Sequence, residues 1–136
     1  MTLSEENRNI IVNYRLQKAK ETLAEAKGGA EMGFLHSAAN RLYYACFYAV
    51  TALLIKNKYP THTHNGVITL LNKHFVLEGI ISKEQNKLYG KIFELRQKGD
   101  YHDLVVIKEE DVLPLIQPAE QFITEIENLI NKEIQS

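Results

Sequence analysis

A chain of 136 residues with 45% hydrophobic and 24% charged residues is long enough to bury one substantial core and short enough to form one domain. Its formal charge of −1 gives no global attraction to nucleic acid, so RNA contact has to be local and DNA binding is not expected. The single cysteine, Cys46, excludes an internal disulfide framework and fits a reducing compartment.

The first residues, Met1 to Glu6, are polar and acidic, unlike a signal peptide. The apolar run Leu42 to Ile55 falls short of the roughly 20 residues that span a bilayer, so a cytoplasmic, soluble protein is expected. From Ile10 to Lys27, residues Val12, Leu16, Ala19, Leu23 and Ala26 recur at steps of four and three, one stripe of an amphipathic helix. Gly28-Gly29 predicts its stop. A second helix is predicted from about Phe34 to Lys58. One seam runs through Leu35, Ala39, Leu42, Cys46, Ala49 and Leu53, another through Tyr43, Phe47, Val50 and Leu54. Two apolar stripes make it the central helix of a bundle. A third stripe, Ser37, Arg41, Tyr44, Tyr48 and Thr51, is polar and aromatic, suited to a core edge or a dimer surface.

Pro60 disfavours helix at Tyr59, so Tyr59 to Thr63 is read as a loop. A third helix is predicted from about Asn65 to Val76, with Val67, Leu70, Leu71 and Phe75 inward and an end near Gly79. Ser82 then serves as N-cap, with Gln85 as its capping-box partner. The fourth helix, Lys83 to Lys98, places Leu88, Ile92 and Leu95 on one line and Tyr89, Phe93, Arg96 and Asp100 on another. Asp100 to Lys108 reads as a short connection. The last helix buries Leu115, Ala119, Phe122, Ile126 and Leu129, and Pro114 and Pro118 push its predicted start toward Leu115. The expected fold is all-α, an up-and-down bundle of four to five helices forming one domain over residues 1–136.

Chemistry concentrates at Arg96-Gln97-Lys98-Gly99-Asp100-Tyr101-His102. Arginine offers a planar fork to phosphate oxygens, and histidine trades protons near its ordinary pKa of about 6.5. If the chain turns at Gly99, His102 returns beside Arg96, and together they suit metal-free attack of a ribose 2′-hydroxyl on its own phosphate. The alternative is structural: Arg96 pairs with Glu94 or Asp100, and His102 is a solvated loop residue. Asp100 orients Arg96 from four residues away, and Tyr101 plugs the end of the bundle. Lys83, Lys87, Lys91 and Lys98 form the one basic stripe, a solvated face or a guide for a polyanion such as RNA. His62 and His64 form a His-x-His without a carboxylate pair, so no metal site is expected, and His64 reads as the N-terminal residue of the third helix. No cofactor motif is present.

Three segments carry a family resemblance: Asn40-Arg41-Leu42-Tyr43-Tyr44-Ala45-Cys46-Phe47-Tyr48-Ala49, Thr63-His64-Asn65-Gly66-Val67-Ile68, and Phe93-Glu94-Leu95-Arg96 followed by Gly99-Asp100-Tyr101. Together they resemble the HEPN domain in its small stand-alone bacterial and archaeal form, from roughly Arg15 to Ile130. The resemblance implies a helical bundle, a homodimer, and a small nucleotidyltransferase as antitoxin partner. It implies a toxin-type, metal-independent endoribonuclease with Arg96 and His102 as the catalytic pair, supported by Asn40 or Arg41 on the second helix. Its alternative is a non-catalytic nucleotide- or protein-binding partner of the transferase. Several family toxins carry a modifiable tyrosine two residues past the histidine, where this chain has Leu104.

Overall fold

The computed structural model describes residues 3–101 and 105–135. Five α-helices follow one another: α1 (Glu5–Glu31), α2 (Leu35–Lys56), α3 (His64–Leu71), α4 (Lys83–Tyr101) and α5 (Glu109–Gln135), with a π-helical turn, Asn72–Val76, continuing α3. No strand occurs among the described residues. The expected all-α bundle is the fold observed.

Helix α2 is its centre, packed against α1, α3, α4 and α5. Most of both predicted seams is inside: Ala39, Leu42, Cys46, Ala49 and Leu53 on one, Tyr43, Val50 and Leu54 on the other, all at most 1% exposed, while Leu35 and Phe47 are only partly buried. Among the described residues α2 alone is long and apolar enough to cross a membrane, and 67% of its most apolar window is buried inside the bundle. Its apolarity is accounted for by protein neighbours. Burial also pushes the Cys46 thiol up to about 12, which leaves it protonated and inert.

Three helix ends depart from expectation: the end of α1, the end of α4 and the start of α5. Helix α1 does not stop at Gly28-Gly29 but continues through Ala30, which is buried with Ala38, Ala39, Ile107 and Val112 in a small second core. It ends at Gly33, whose φ is +80°. There Phe34 N–H donates to Gly29 O at 2.8 Å and Gly33 N–H to Ala30 O at 3.1 Å, the paired bonds of a Schellman end. The same pair closes the π turn at Gly79 and closes α2 at Lys58, a non-glycine residue at φ 66°. Helix α3 itself begins at His64, capped by Thr63, and its predicted last turn widens to a π turn.

Helix α4 starts as predicted. Gln85 N–H donates to Ser82 Oγ at 3.1 Å and Ser82 N–H to Gln85 Oε1 at 3.2 Å, a reciprocal capping box. Its end is a correction: the helix runs past Gly99 to Tyr101. Gly99 makes no turn. It lets Ile107 lie against the helix, since a Cβ there would stand 2.7 Å from Ile107 Cδ1 and 3.4 Å from His36 Nδ1.

Helix α5 starts six residues before the predicted Leu115 and holds both prolines in its interior. Two start signals lie upstream. Lys108 N–H donates to Asp111 Oδ2 at 2.9 Å, and Glu109, Glu110 and Asp111 set three carboxylates against the positive end of the helix dipole. Pro114 is exposed, so water can replace the bond lost at the Glu110 carbonyl. Val112, Leu115, Ala119, Phe122, Ile123, Ile126 and Ile130 are buried, which fixes the helix against α2 and α4.

Candidate functional site around Arg96

Arg96 projects from α4 onto α2 and is only 9% exposed. Burying a guanidinium requires that its donors be matched. Nε–H donates to Asp100 Oδ2 at 2.9 Å, one turn along α4, and an NH2 hydrogen goes to the Tyr44 hydroxyl at 3.0 Å. The Cζ carbon also stands 5.1 Å from the Tyr43 ring centre and 5.3 Å from that of Tyr44, within reach of cation–π attraction. Of the two structural partners weighed for Arg96, Asp100 is the one it engages.

Asn40 and Arg41 extend this cluster. Asn40 Nδ2 donates to the same Asp100 oxygen at 3.2 Å, while its Oδ1 accepts from Arg41 Nε at 3.1 Å and from Arg41 NH2 at 2.7 Å. The Arg41 guanidinium lies 5.3 Å from the Tyr44 ring and 3.7 Å from Glu25 of α1. Two guanidiniums therefore flank one tyrosine, and a relay of alternating partners ties α1 to α2 and α4. Thus Arg96, Asp100, Asn40 and Arg41 come together as one polar cluster.

His102, the other half of the predicted pair, lies outside the described residues. Tyr101 is the last residue of α4. Lys83, Lys87, Lys91 and Lys98 are exposed, but at about 100° per residue their stripe sits roughly opposite Arg96 on α4. They do not converge on the Arg96 cluster. Lys91 and Lys98 instead border a cleft of about 230 Å³ with Glu94, Glu110 and Asp111, where charge is mixed.

One residue of the site was read only as a helix start. His64 Nδ1 lies 2.6 Å from the Tyr43 hydroxyl, and its ring lies 4.6 Å from that of Phe47. Burial, then the Arg96 charge, lower its pKa, so the imidazole tends to neutrality. The available signal was Thr63-His64-Asn65-Gly66. Thr63 Oγ1 accepts from Gly66 N–H at 2.9 Å, and a Cβ on Gly66 would stand 2.7 Å from that oxygen. That cap fixes His64 at the first position of α3.

An all-α bundle built round a buried central helix, with an arginine-centred cluster where the second and fourth helices meet, defines the class. The family model for the HEPN domain matches residues 12–129, and the chain belongs to that family. A UPF0332 protein of Thermotoga maritima is 43% identical over 88% of this chain and 91% of its own length. A Methanocaldococcus jannaschii protein named "Putative toxin MJ0605" is 34% identical over 88% of this chain and 87% of its own. The fold also matches the crystal structure of TT1696 from Thermus thermophilus, with a TM-score of 0.73 and 14% identity, covering 86% of this chain and 96% of that one. At that identity the match speaks to fold alone.

Proposed function

We propose that this protein is a toxin-type, metal-independent endoribonuclease that cuts RNA to 2′,3′-cyclic phosphate ends. The observation that carries this reading is the preset guanidinium. Arg96 is oriented by Tyr44 and Asp100 before any ligand arrives, so binding a phosphodiester costs little side-chain ordering. Family membership and the toxin name of the M. jannaschii relative support the same reading. In it, Arg96 holds the phosphate and His102, six residues on, moves protons between the ribose 2′-hydroxyl and the leaving 5′-oxygen. The active form is a homodimer joined through the stripe carrying Arg41, Tyr44 and Tyr48, which stays half-buried in the single chain.

A second reading, a non-catalytic partner of a small nucleotidyltransferase, draws on the 9% exposure of Arg96 and its bonds to Asp100 and Tyr44, which suit a strut between α2 and α4. Incubating purified protein with single-stranded RNA and a chelator separates the two. Cleavage that His102→Ala abolishes supports the nuclease; intact RNA supports the partner reading.

A further inference from the structure

We infer that His64 is a second ligand for the anion held at Arg96, with its Nε2–H donating to a phosphate oxygen of the RNA backbone. The identity of the anion rests on the nuclease reading; the site itself rests on geometry. His64 comes from α3 and Arg96 from α4, yet both stand against the same two side chains of α2. The His64 ring centre is 5.6 Å from that of Tyr43 and 6.0 Å from that of Tyr44, the two rings that also flank the Arg96 guanidinium.

The tautomer follows from Tyr43. Burial, the largest influence, pushes its hydroxyl up to about 12, against the opposing pull of the Tyr89 hydroxyl and the Arg96 charge. Tyr43 is wholly buried, so its hydroxyl hydrogen needs an acceptor, and His64 Nδ1 stands 2.6 Å away to take it. A neutral imidazole that accepts at Nδ1 carries its own hydrogen on Nε2. The imidazole is half-buried, whereas Arg96 is almost wholly enclosed, so His64 meets incoming ligand first. A phosphodiester has two non-bridging oxygens, and a directional neutral donor beside a fixed cation suits that pair.

The test uses a 2′-deoxy dinucleoside phosphate, which lacks the nucleophile and stays intact. Adding it to the full-length protein should shift the His64 Nε2 resonance in a nitrogen–proton NMR spectrum and raise the pKa of His64, because a nearby anion favours imidazolium. His64→Ala should weaken binding about tenfold, the order of one hydrogen bond to a charged group. His64→Gln, which keeps an N–H near the Nε2 position, should restore much of that loss. Lys83→Gln should leave binding unchanged.

Equal affinity of wild type and His64→Ala, with RNA still cut, overturns this inference alone. Probe bound through His64 with RNA left intact overturns the nuclease reading alone. No His64 shift in the wild type at saturating probe also overturns the inference, and that measurement does not depend on whether any variant folds.

Discussion

Arg96 and Asp100 are joined through one oxygen: Asp100 Oδ2 accepts from Arg96 Nε at 2.9 Å and from Asn40 Nδ2 at 3.2 Å. Loss of that single oxygen leaves two donors unmatched, Arg96 Nε and Asn40 Nδ2, and Asn40 in turn is the acceptor of Arg41. Asp100→Ala should therefore destabilise the fold by about 1–3 kcal/mol, the cost of leaving an enclosed polar donor unmatched. Denaturant unfolding followed by circular dichroism measures it. Asn40→Ala should show less than additive loss in the Asp100→Ala background, since both act through the same oxygen. Additive losses would mean that the relay is not one unit.

Gly99 is a spacer. A Cβ there stands 2.7 Å from Ile107 Cδ1, and Ile107 is only 3% exposed, so its side chain has little room to withdraw. Gly99→Ala should cost about 1–3 kcal/mol, the usual range for overpacking, despite alanine's better helix propensity. Ile107→Val should relieve part of that cost. A stabilised Gly99→Ala protein would show that the helix end moves freely away from Ile107.

Much of the fold was legible because burial writes its own period. Val12, Leu16, Ala19, Leu23 and Ala26 all lie in the core, and so do the α2 seams apart from the partly buried Leu35 and Phe47. The Ser82–Gln85 capping box was equally plain, since both halves of the motif sit in the sequence. Glycines and prolines misled because their role depends on tertiary neighbours. Gly28-Gly29 stay helical because Ala30 beyond them has a core to enter, and Pro114 and Pro118 are outweighed by burial on both sides of them. Within the site, the i,i+4 spacing of Arg96 and Asp100 was readable. The partnership of His64 with Tyr43 spans 21 residues and depends on how α3 is laid across α2, which no local pattern encodes.

Lys58 gives the opposite sign of effect. It occupies the left-handed position that ends α2, where an L-residue costs roughly 1–2 kcal/mol and glycine gives part of that back in chain entropy. Its ion pair with Glu5 spans 3.5 Å between two largely exposed side chains and adds little. Lys58→Gly should stabilise the protein by about 0.5–1 kcal/mol, read as a higher melting temperature. A lower one would show that the Lys58 side chain does more than the ion pair suggests.

His64 sets a pH signature. Its pKa is lowered in the folded protein by burial and by Arg96, while the unfolded chain keeps the ordinary value of about 6.5. Below that value the unfolded state binds the proton more readily, so the folded state loses stability as pH falls; above it, His64 contributes no slope. Every other group is common to the two proteins compared, so the readout is a difference. Stability of wild type minus that of His64→Gln should decline from about pH 6.5 downward and stay flat above about pH 7. A flat difference throughout would mean that His64 is not held neutral.

The sharpest test of activity is the contrast between two changes at the proposed catalytic pair. His102→Ala removes a general acid–base group, which typically contributes about 10²–10⁴-fold, and should lower the rate of RNA cleavage on that scale. Because nothing else in the proposed step is altered, binding of an uncleavable deoxy analogue should survive. Arg96→Lys keeps the charge and loses the planar fork together with the Nε bond to Asp100, so it should impair both binding and rate. It should also lower stability modestly, since lysine cannot serve Tyr44 and Asp100 in the same geometry. Products should carry 2′,3′-cyclic phosphate and form in the presence of chelator, because the nucleophile is the substrate's own hydroxyl. Cleavage that survives His102→Ala unchanged, or that stops when chelator is added, would rule this mechanism out.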